Sequence, residues 1–515
     1  MKKYVAAWLV LFTLVGMMVP LTSLARMVGA EFTLYGNAPL RSYSGGVAYE
    51  GSQDRYVAGL LLEEVQDGWL QPYVMWYGLD DTWDVPRQLM TMTAGDSTAP
   101  EVSCAPGYTN GDCLAVWTAN GKVYARRVTP YEWEWGPTRT IVDLPGFTPV
   151  ASTVAPAGWQ THVIVSDSAD GQIHVQEIDY DVRGDSALVQ KPVACSKLYF
   201  PSVAVDAATE TVAVAFGCFD EGTAYVQLWN FSSGATLIST LPLVAPGGQA
   251  FAPKIATDGN GQFLAVWGVG AFQQRVYAQR FDIAGHSLGS VFPVYPDDDD
   301  QEAPSVTYDA VNGEYLVLFE HEYDVYYVRL MADGASVGPA YAVTTATGRQ
   351  SRARAAYGNS RNRYLITWTD RGSSGTEVVR GRWVEPEKIL DPTLPQSSEL
   401  PAEDSGYYQA AAQMNQWQAL GLRPSLAGDL DVYLYDAPDY VTLLASSANG
   451  SGQVDVVVMD GRQSDLPAYF AEVRPFAGDT FYHVGFSPTV GRITQGQNVI
   501  VDNLAPEAVV RMYEV

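Results

Sequence analysis

Residues 251–281 read FAPKIATDGNGQFLAVWGVGAFQQRVYAQRF, and this stretch decides the fold. It holds three short apolar runs, at 253–257, 263–267 and 276–281. Asp258-Gly259-Asn260-Gly261 separates the first two. Asp, Asn and Gly suit tight turns because they tolerate positive φ or bond their own backbone. Runs of about five residues, rich in aromatic and β-branched types and bounded by Gly, read as strands.

Near-copies of the stretch recur along most of the chain. The second run ends at Trp117, Val165, Phe216, Trp267, Phe319 and Trp368, at intervals of 48, 51, 51, 52 and 49 residues. The third run begins at Val123, Ile173, Ala224, Val276, Val325 and Val378, and Pro72 in PYVMWY extends that series backwards. A further copy therefore starts near Gly45, with its second strand over 56–62. A fourth run follows in most copies, at 140–144, 189–193, 237–243, 291–295 and 340–344. Four antiparallel strands per about 50 residues, repeated this often, predict an all-β, seven-bladed β-propeller over residues 31–391. After Trp383 the last copy runs into VEPEKILDPTLPQSS, with little room for a fourth strand. Residues 32–35, ahead of the first copy, are expected to complete that blade and close the ring, with Ile389 as the alternative partner. Closure removes the exposed edges of an open array.

From residue 392 the composition changes. Residues 392–406 are rich in Pro and Ser and acidic, as in a linker. Alternating runs at 417–422, 431–435, 454–459, 469–473, 481–486 and 499–501 then predict a small β-sandwich over 407–515. Through GDLDVYLYD (428–436), LLASS (443–447) and YFAEVRPFAGDTFYHVGF (469–486), this part resembles the bacterial pre-peptidase C-terminal domain. The preceding part resembles secreted bacterial propeller repeat proteins. The resemblance implies a non-catalytic module of the kind that accompanies secreted enzymes, often peptidases, although no peptidase domain stands upstream of it here.

The start of the chain has the layout of a secretory signal peptide, assigned to residues 1–30. Lys2 and Lys3 precede an apolar run and then small residues, with cleavage after Ala25 or Ala30. A retained membrane anchor is the alternative. The four cysteines fall into two local pairs, Cys104 with Cys113 and Cys195 with Cys218. In an exported chain this predicts two hairpin-stapling disulfides. Secretion, the cell surface or the periplasm is the expected location.

The 515 residues are 47% apolar and 17% charged, which suits a large buried core. The formal net charge is −27, and removing Lys2, Lys3 and Arg26 with the signal makes it more negative still. Such a surface repels nucleic acid and anionic membrane, which argues against both as partners.

Motifs with chemical potential have plain alternatives. Gly285-His286-Ser287-Leu288-Gly289 matches G-x-S-x-G, but a nucleophile elbow needs a helix after it, and strand sequence follows. Gly334-Ala335-Ser336-Val337-Gly338 repeats the pattern one copy later, so a structural turn accounts for both. No catalytic residue is assigned. Glu320-His321-Glu322 with Asp324 lacks H-E-x-x-H spacing and reads as a solvated loop. Asp297, Asp298, Asp300 and Glu302 offer oxygens for calcium, as do Asp429, Asp431 and Asp436, without EF-hand spacing. No cofactor other than calcium is expected.

Aromatic residues in predicted loops are the better ligand-binding candidates. Trp69, Phe219 and Phe272 fall on one rim, and Trp83, Trp133 and Trp135 on the other. Tyr131-Glu132-Trp133-Glu134-Trp135 has no counterpart in other copies. Exposed rings stack on sugars or anchor protein partners. The alternative is that these rings cover the outer strand. The sequence therefore points to an exported, non-enzymatic binding or scaffold protein for extracellular glycan or protein surfaces. A glycan-active hydrolase with channel carboxylates and a structural subunit of an extracellular assembly are the rivals.

Overall fold

The structure is a computed structural model. It describes residues 28–492 and 512–514 apart from short stretches. Those stretches are 37–40, 65–67, 78–82, 92–94, 96, 106–111, 132–134, 144–147, 159–160, 169–170, 180–181, 183–186, 191–194, 232–235, 271–273, 297–299, 337–339, 345, 361, 373–374, 387, 391–395, 401–404, 413–416, 437–441, 461–467 and 478–479. The expected signal peptide lies outside the described residues, except for 28–30. All regular structure described is β, and no described helix is long and apolar enough to cross a membrane. The chain divides into two compact units at Pro386/Glu387.

The first unit begins with β1 (Val28–Tyr35), followed by seven groups of strands. The first two groups are β2 (Ser42–Glu50), β3 (Arg55–Glu63), β4 (Leu70–Tyr77), β5 (Arg87–Gln88), and β6 (Glu101–Ser103), β7 (Cys113–Ala119), β8 (Lys122–Val128), β9 (Arg139–Val142). Next come β10 (Pro149–Gly158), β11 (Thr161–Ser168), β12 (Ile173–Ile178), β13 (Ala187–Gln190), and β14 (Leu198–Asp206), β15 (Thr211–Cys218), β16 (Thr223–Asn230), β17 (Thr236–Leu243). Then follow β18 (Ala250–Thr257), β19 (Gln262–Val269), β20 (Arg275–Asp282), β21 (Phe292–Pro293), and β22 (Gln301–Asp309), β23 (Glu314–His321), β24 (Asp324–Met331), β25 (Tyr341–Ala342). The last group is β26 (Gly348–Gly358), β27 (Arg363–Gly372) and β28 (Glu377–Val384). Each forms a four-stranded antiparallel sheet, the last one with β1 as its outer strand.

The first strands of successive sheets pack on one another: β2 on β6, β6 on β10, and so on to β22 on β26, with β26 returning to β2. A ring of sheets closed in this way is a β-propeller. Strands such as β19 and β23 are buried along nearly their whole length, because neighbouring sheets cover both faces. That explains continuous apolar runs where a one-sided sheet would alternate. The outer strands are short or exposed, as in β21 and β17, which suits edges that face water.

The turn in the opening stretch forms as its residues require. Asp258 Oδ1 accepts from the backbone N–H of Asn260 at 2.8 Å and of Gln262 at 3.0 Å. Gly259 and Gly261 take φ of 71° and 89°. One repeat landmark needs correction. Val379, not Val378, holds the buried inner position of β28, opposite Thr369. The alternative partner for the closing strand also falls away, because Ile389 pairs with Gln409 in the second unit.

The second unit has β29 (Lys388–Ile389), β30 (Gln396–Leu400), β31 (Gly406–Ala411), β32 (Trp417–Pro424), β33 (Asp429–Tyr435), β34 (Leu443–Ser447), β35 (Asp455–Asp460), β36 (Ala468–Ala477), β37 (Thr480–Arg492) and β38 (Met512–Glu514). One sheet runs β29-β31-β36-β33-β34 and the other β30-β37-β32-β35, with β38 on β37. Both contribute to a single core that includes Tyr408, Leu422, Val432, Val457, Val473 and Phe486. Part of the stretch expected to be a linker is strand. Residues 396–400 pair with β37, because polar Ser and Gln are compatible with a sheet edge. The strand expected at 499–501 lies outside the described residues.

Candidate functional site

The channel of the propeller is lined by the first strand of every sheet, and these strands share a local device. In β14, β18, β22 and β26 the residue two positions before the lining residue takes a positive φ: Phe200 (55°), Ala252 (46°), Ala303 (50°) and Arg352 (58°). Each lies in a register shift of its strand, so it is a bulge. Pro201, Pro253 and Pro304 follow three of them, and a bulge tolerates Pro because no ladder donor is lost there. The residue after the Pro faces the channel, as Ser202, Lys254 and Ser305 do. Pro100 precedes Glu101 in the same way. This recurring X-Pro-X signal was available in the sequence and would have named the channel residues.

At its waist the channel holds a polar cavity of about 140 Å³, lined in part by Glu101, Thr153, Ser202, Lys254, Ser305 and Arg354. Arg354 Nη2 stands 3.6 Å from Glu101 Oε1. Gly46 makes room for that carboxylate, since a Cβ there would lie 2.6 Å from Glu101 Oε2. Burial, and then the neighbouring Arg354 charge, push the Lys254 ammonium down to about 8. Burial raises the Asp167 carboxyl to about 6, although its Oδ1 accepts the Ala151 N–H at 2.7 Å.

At the start of the channel-lining strand β14 stands an aromatic cluster. The Tyr199 ring lies 5.3 Å from Phe200 and 6.3 Å from Phe219. Phe200 is 54% exposed and Phe219 66%. The cluster is held rigidly. Cys195 and Cys218 form a disulfide that ties the approach to β14 to the end of β15. The Phe219 N–H donates to Lys197 O at 3.0 Å, and the Lys197 ammonium sits 5.6 Å over the Phe219 ring. Gly217 leaves space for the Tyr199 ring, whose Cε2 would otherwise be 2.7 Å from a Cβ. The second disulfide, Cys104–Cys113, also forms as expected.

The other sequence candidates are dispersed. Trp69 is 36% exposed in the loop between β3 and β4. Tyr131 is partly exposed, with the Arg55 guanidinium 5.9 Å from its ring. Trp135 is partly buried: its indole N–H donates to Thr129 O at 2.9 Å, and Arg126 covers its ring at 4.8 Å. Trp83 packs at the seam of the ring, 5.3 Å from Tyr77. Trp133, Phe272, Asp297 and Asp298 lie outside the described residues. Asp300 Oδ1 accepts the Gln274 N–H at 2.9 Å, and Glu302 pairs with Arg349 at 3.2 Å. Among the described residues no three His, Cys, Asp or Glu side chains converge as metal ligands.

Two motifs resolve into backbone architecture. Ser287 bridges to Phe281 and Ser336 to Leu330, so the two G-x-S-x-G copies are the same turn. Gly285 and Gly334 both take φ of 88° in it. Glu320 and His321 are not in a solvated loop but are buried at the end of β23. Glu322 and Tyr323, with φ of 49° and 77°, make a two-residue turn into β24. Neither is a usual residue for that turn, which is why the sequence reads as a longer loop. Glu320 accepts the Arg352 N–H at 3.1 Å and lies 3.3 Å from Arg349.

A second cavity, about 380 Å³, opens between the third and fourth sheets and includes Glu177, Glu210, Thr161 and Phe231 in its lining. Burial raises the Glu177 carboxyl, and the Glu210 charge raises it further.

No family model matches the chain, and no curated protein matches it. Solved structures of low similarity exist. A protein of unknown function from Dyadobacter fermentans DSM 18053 is 12% identical, with a TM-score of 0.45 over 71% of this chain and 100% of its own. The Dos1 propeller is 8% identical, with a TM-score of 0.43 over 70% and 95%. The β-propeller domain of the Trilobed protease from Pyrococcus furiosus is 8% identical, with a TM-score of 0.41 over 66% and 93%. These values carry no argument about ligand or activity. The propeller assignment rests on the closed ring of sheets itself.

Proposed function

We propose that this chain is an exported binding protein, a seven-bladed propeller followed by a small β-sandwich, that captures an extracellular glycan or protein surface at the mouth of its channel. One observation carries the reading: Phe200 and Phe219 stay exposed although the strands beneath them are pinned by the Cys195–Cys218 disulfide. A rigid exposed aromatic pair costs water contact and contributes little to the core, whereas it stacks well on sugar faces or seats in a partner's pocket. The mature protein on a glycan microarray, beside Phe200→Ala/Phe219→Ala, tests this. Spots that bind the wild type and fade in the variant support the glycan form. Capture of an extracellular protein by the wild type alone supports the protein form. Equal behaviour of both proteins in both assays overturns the reading.

A glycan-active hydrolase is the second reading, favoured by the cavity that Glu177 and Glu210 share. Two carboxyl groups facing one cavity, one of them raised by burial, is the arrangement of a general acid and its partner. Sugar release that disappears in Glu177→Gln would establish it in place of the first.

A further inference from the structure

We propose that the waist of the channel is a binding site for a small oxyanion, the class that includes sulfate, phosphate and a ligand carboxylate. The cavity of about 140 Å³ is lined by residues from the first strands of all seven sheets and is large enough for one such group. Its donors outnumber its acceptors. Arg354 shares its charge with Glu101 at 3.6 Å, whereas Lys254 has no hydrogen-bond or ion-pair partner among the described residues. Ser202 Oγ accepts the Ile255 N–H at 3.2 Å, which leaves its own hydroxyl proton for the cavity. Ser305 lines the same space, and no partner for its hydroxyl is found among the described residues. A cation held in a confined, weakly screened site attracts an anion more strongly than one on the surface. In a chain of net charge −27, two cations at the channel waist stand apart from the prevailing sign.

The charged groups facing Lys254 are Arg354, Glu101 and Asp167, and they set the pH dependence. Ionisation of Asp167 near pH 6 adds an opposing charge, and loss of the Lys254 proton near pH 8 removes the main attraction. Binding is therefore tightest below pH 6 and weakens through both steps as pH rises. Sulfate stays a dianion across this range, so both steps belong to the protein. This site stands independently of the aromatic mouth.

The test is calorimetric titration of the full chain with sodium sulfate at fixed ionic strength, paired with side-chain NMR of ¹⁵N-lysine-labelled protein. The wild type is expected to bind saturably, with the Lys254 resonance shifting. The affinity should fall about tenfold between pH 7 and 9, and at least tenfold in Lys254→Met at pH 7. Lys254→Arg should retain binding and lose the step near pH 8. Parallel titrations with phosphate and acetate rank the oxyanions. An unchanged affinity in Lys254→Met overturns the proposal. If that variant fails to fold, a wild-type Lys254 resonance that does not move with sulfate overturns it equally.

Discussion

Phe32 and Trp383 meet across the seam of the ring, their ring centroids 5.8 Å apart. Phe32 belongs to the first strand of the unit and Trp383 to the last. Tyr77 and Tyr56, from the first sheet, lie 4.9 and 5.0 Å from the Trp383 ring, so the aromatic cluster joins first and last sheets. The Arg363 guanidinium caps it, 4.1 Å over Trp383.

The seam depends on a missing side chain. A Cβ on Gly381 would lie 2.4 Å from Leu34 Cδ1 and 2.7 Å from Phe32 Cε2. Gly381→Ala is expected to lower the unfolding free energy by about 1–3 kcal/mol, the usual cost of overpacking. Urea denaturation gives the number directly. A change below about 0.5 kcal/mol would mean that β1 is not held on β28 in solution.

Most of the architecture was legible from particular residues. Trp117, Trp267 and Trp368 recur as fully buried side chains in the second strands of their sheets, so their spacing reported the sheets faithfully. The four cysteines paired as their spacing suggested. The missing fourth strand after Trp383 pointed to residues 32–35, because an unpaired edge is costly enough to demand a partner. The site was less legible for two reasons. Channel residues come one from each sheet, so no local motif gathers Glu101, Lys254 and Arg354. Phe200 sits inside a strand, where an aromatic residue reads as core; only the bulge that gives it a φ of 55° leaves it exposed. Trp135 shows the converse, since its loop position says nothing of the Thr129 carbonyl that takes its N–H.

The third sheet predicts an acid-sensitive stability. Burial holds His162 and His174 at about 4, below the ordinary value of 6.5. Both are neutral in folded and unfolded chains above pH 6.5. Between 6.5 and 4 only the unfolded chain takes up these protons, so each histidine removes about 1.4 kcal/mol per pH unit as pH falls. Asp167 acts in the opposite sense: its raised value lets the folded chain take up a proton between 6 and 3.8, which adds stability on acidification. His162→Gln should therefore flatten the decline between pH 6.5 and 4 by about 1.4 kcal/mol per unit, read from urea midpoints at each pH. Parallel profiles for wild type and variant would show that His162 is not buried as neutral.

The two disulfides should differ in weight. Cys195–Cys218 closes a sequence separation of 23 and Cys104–Cys113 one of 9. Chain entropy makes the longer closure worth more by about 0.8 kcal/mol. Paired Cys→Ser replacements, compared by denaturation, measure that order. The Cys195→Ser/Cys218→Ser variant should in addition become sensitive to protease near Phe219, since the aromatic cluster loses its tie. Equal protease resistance would show that the Lys197 carbonyl, which accepts the Phe219 N–H, and the Ser196 N–H, which donates to Asp220 Oδ2 at 2.6 Å, hold it alone.

The most direct test of the binding reading is the affinity of the mature chain and of Phe200→Ala/Phe219→Ala for one array-selected glycan or captured protein, with thermal unfolding run alongside. Truncating two exposed anchors should cost about 2–4 kcal/mol of binding, or roughly 30- to 1,000-fold in Kd, with the unfolding temperature unchanged. A variant that binds within twofold of the wild type would contradict the account and place the ligand elsewhere on the molecule.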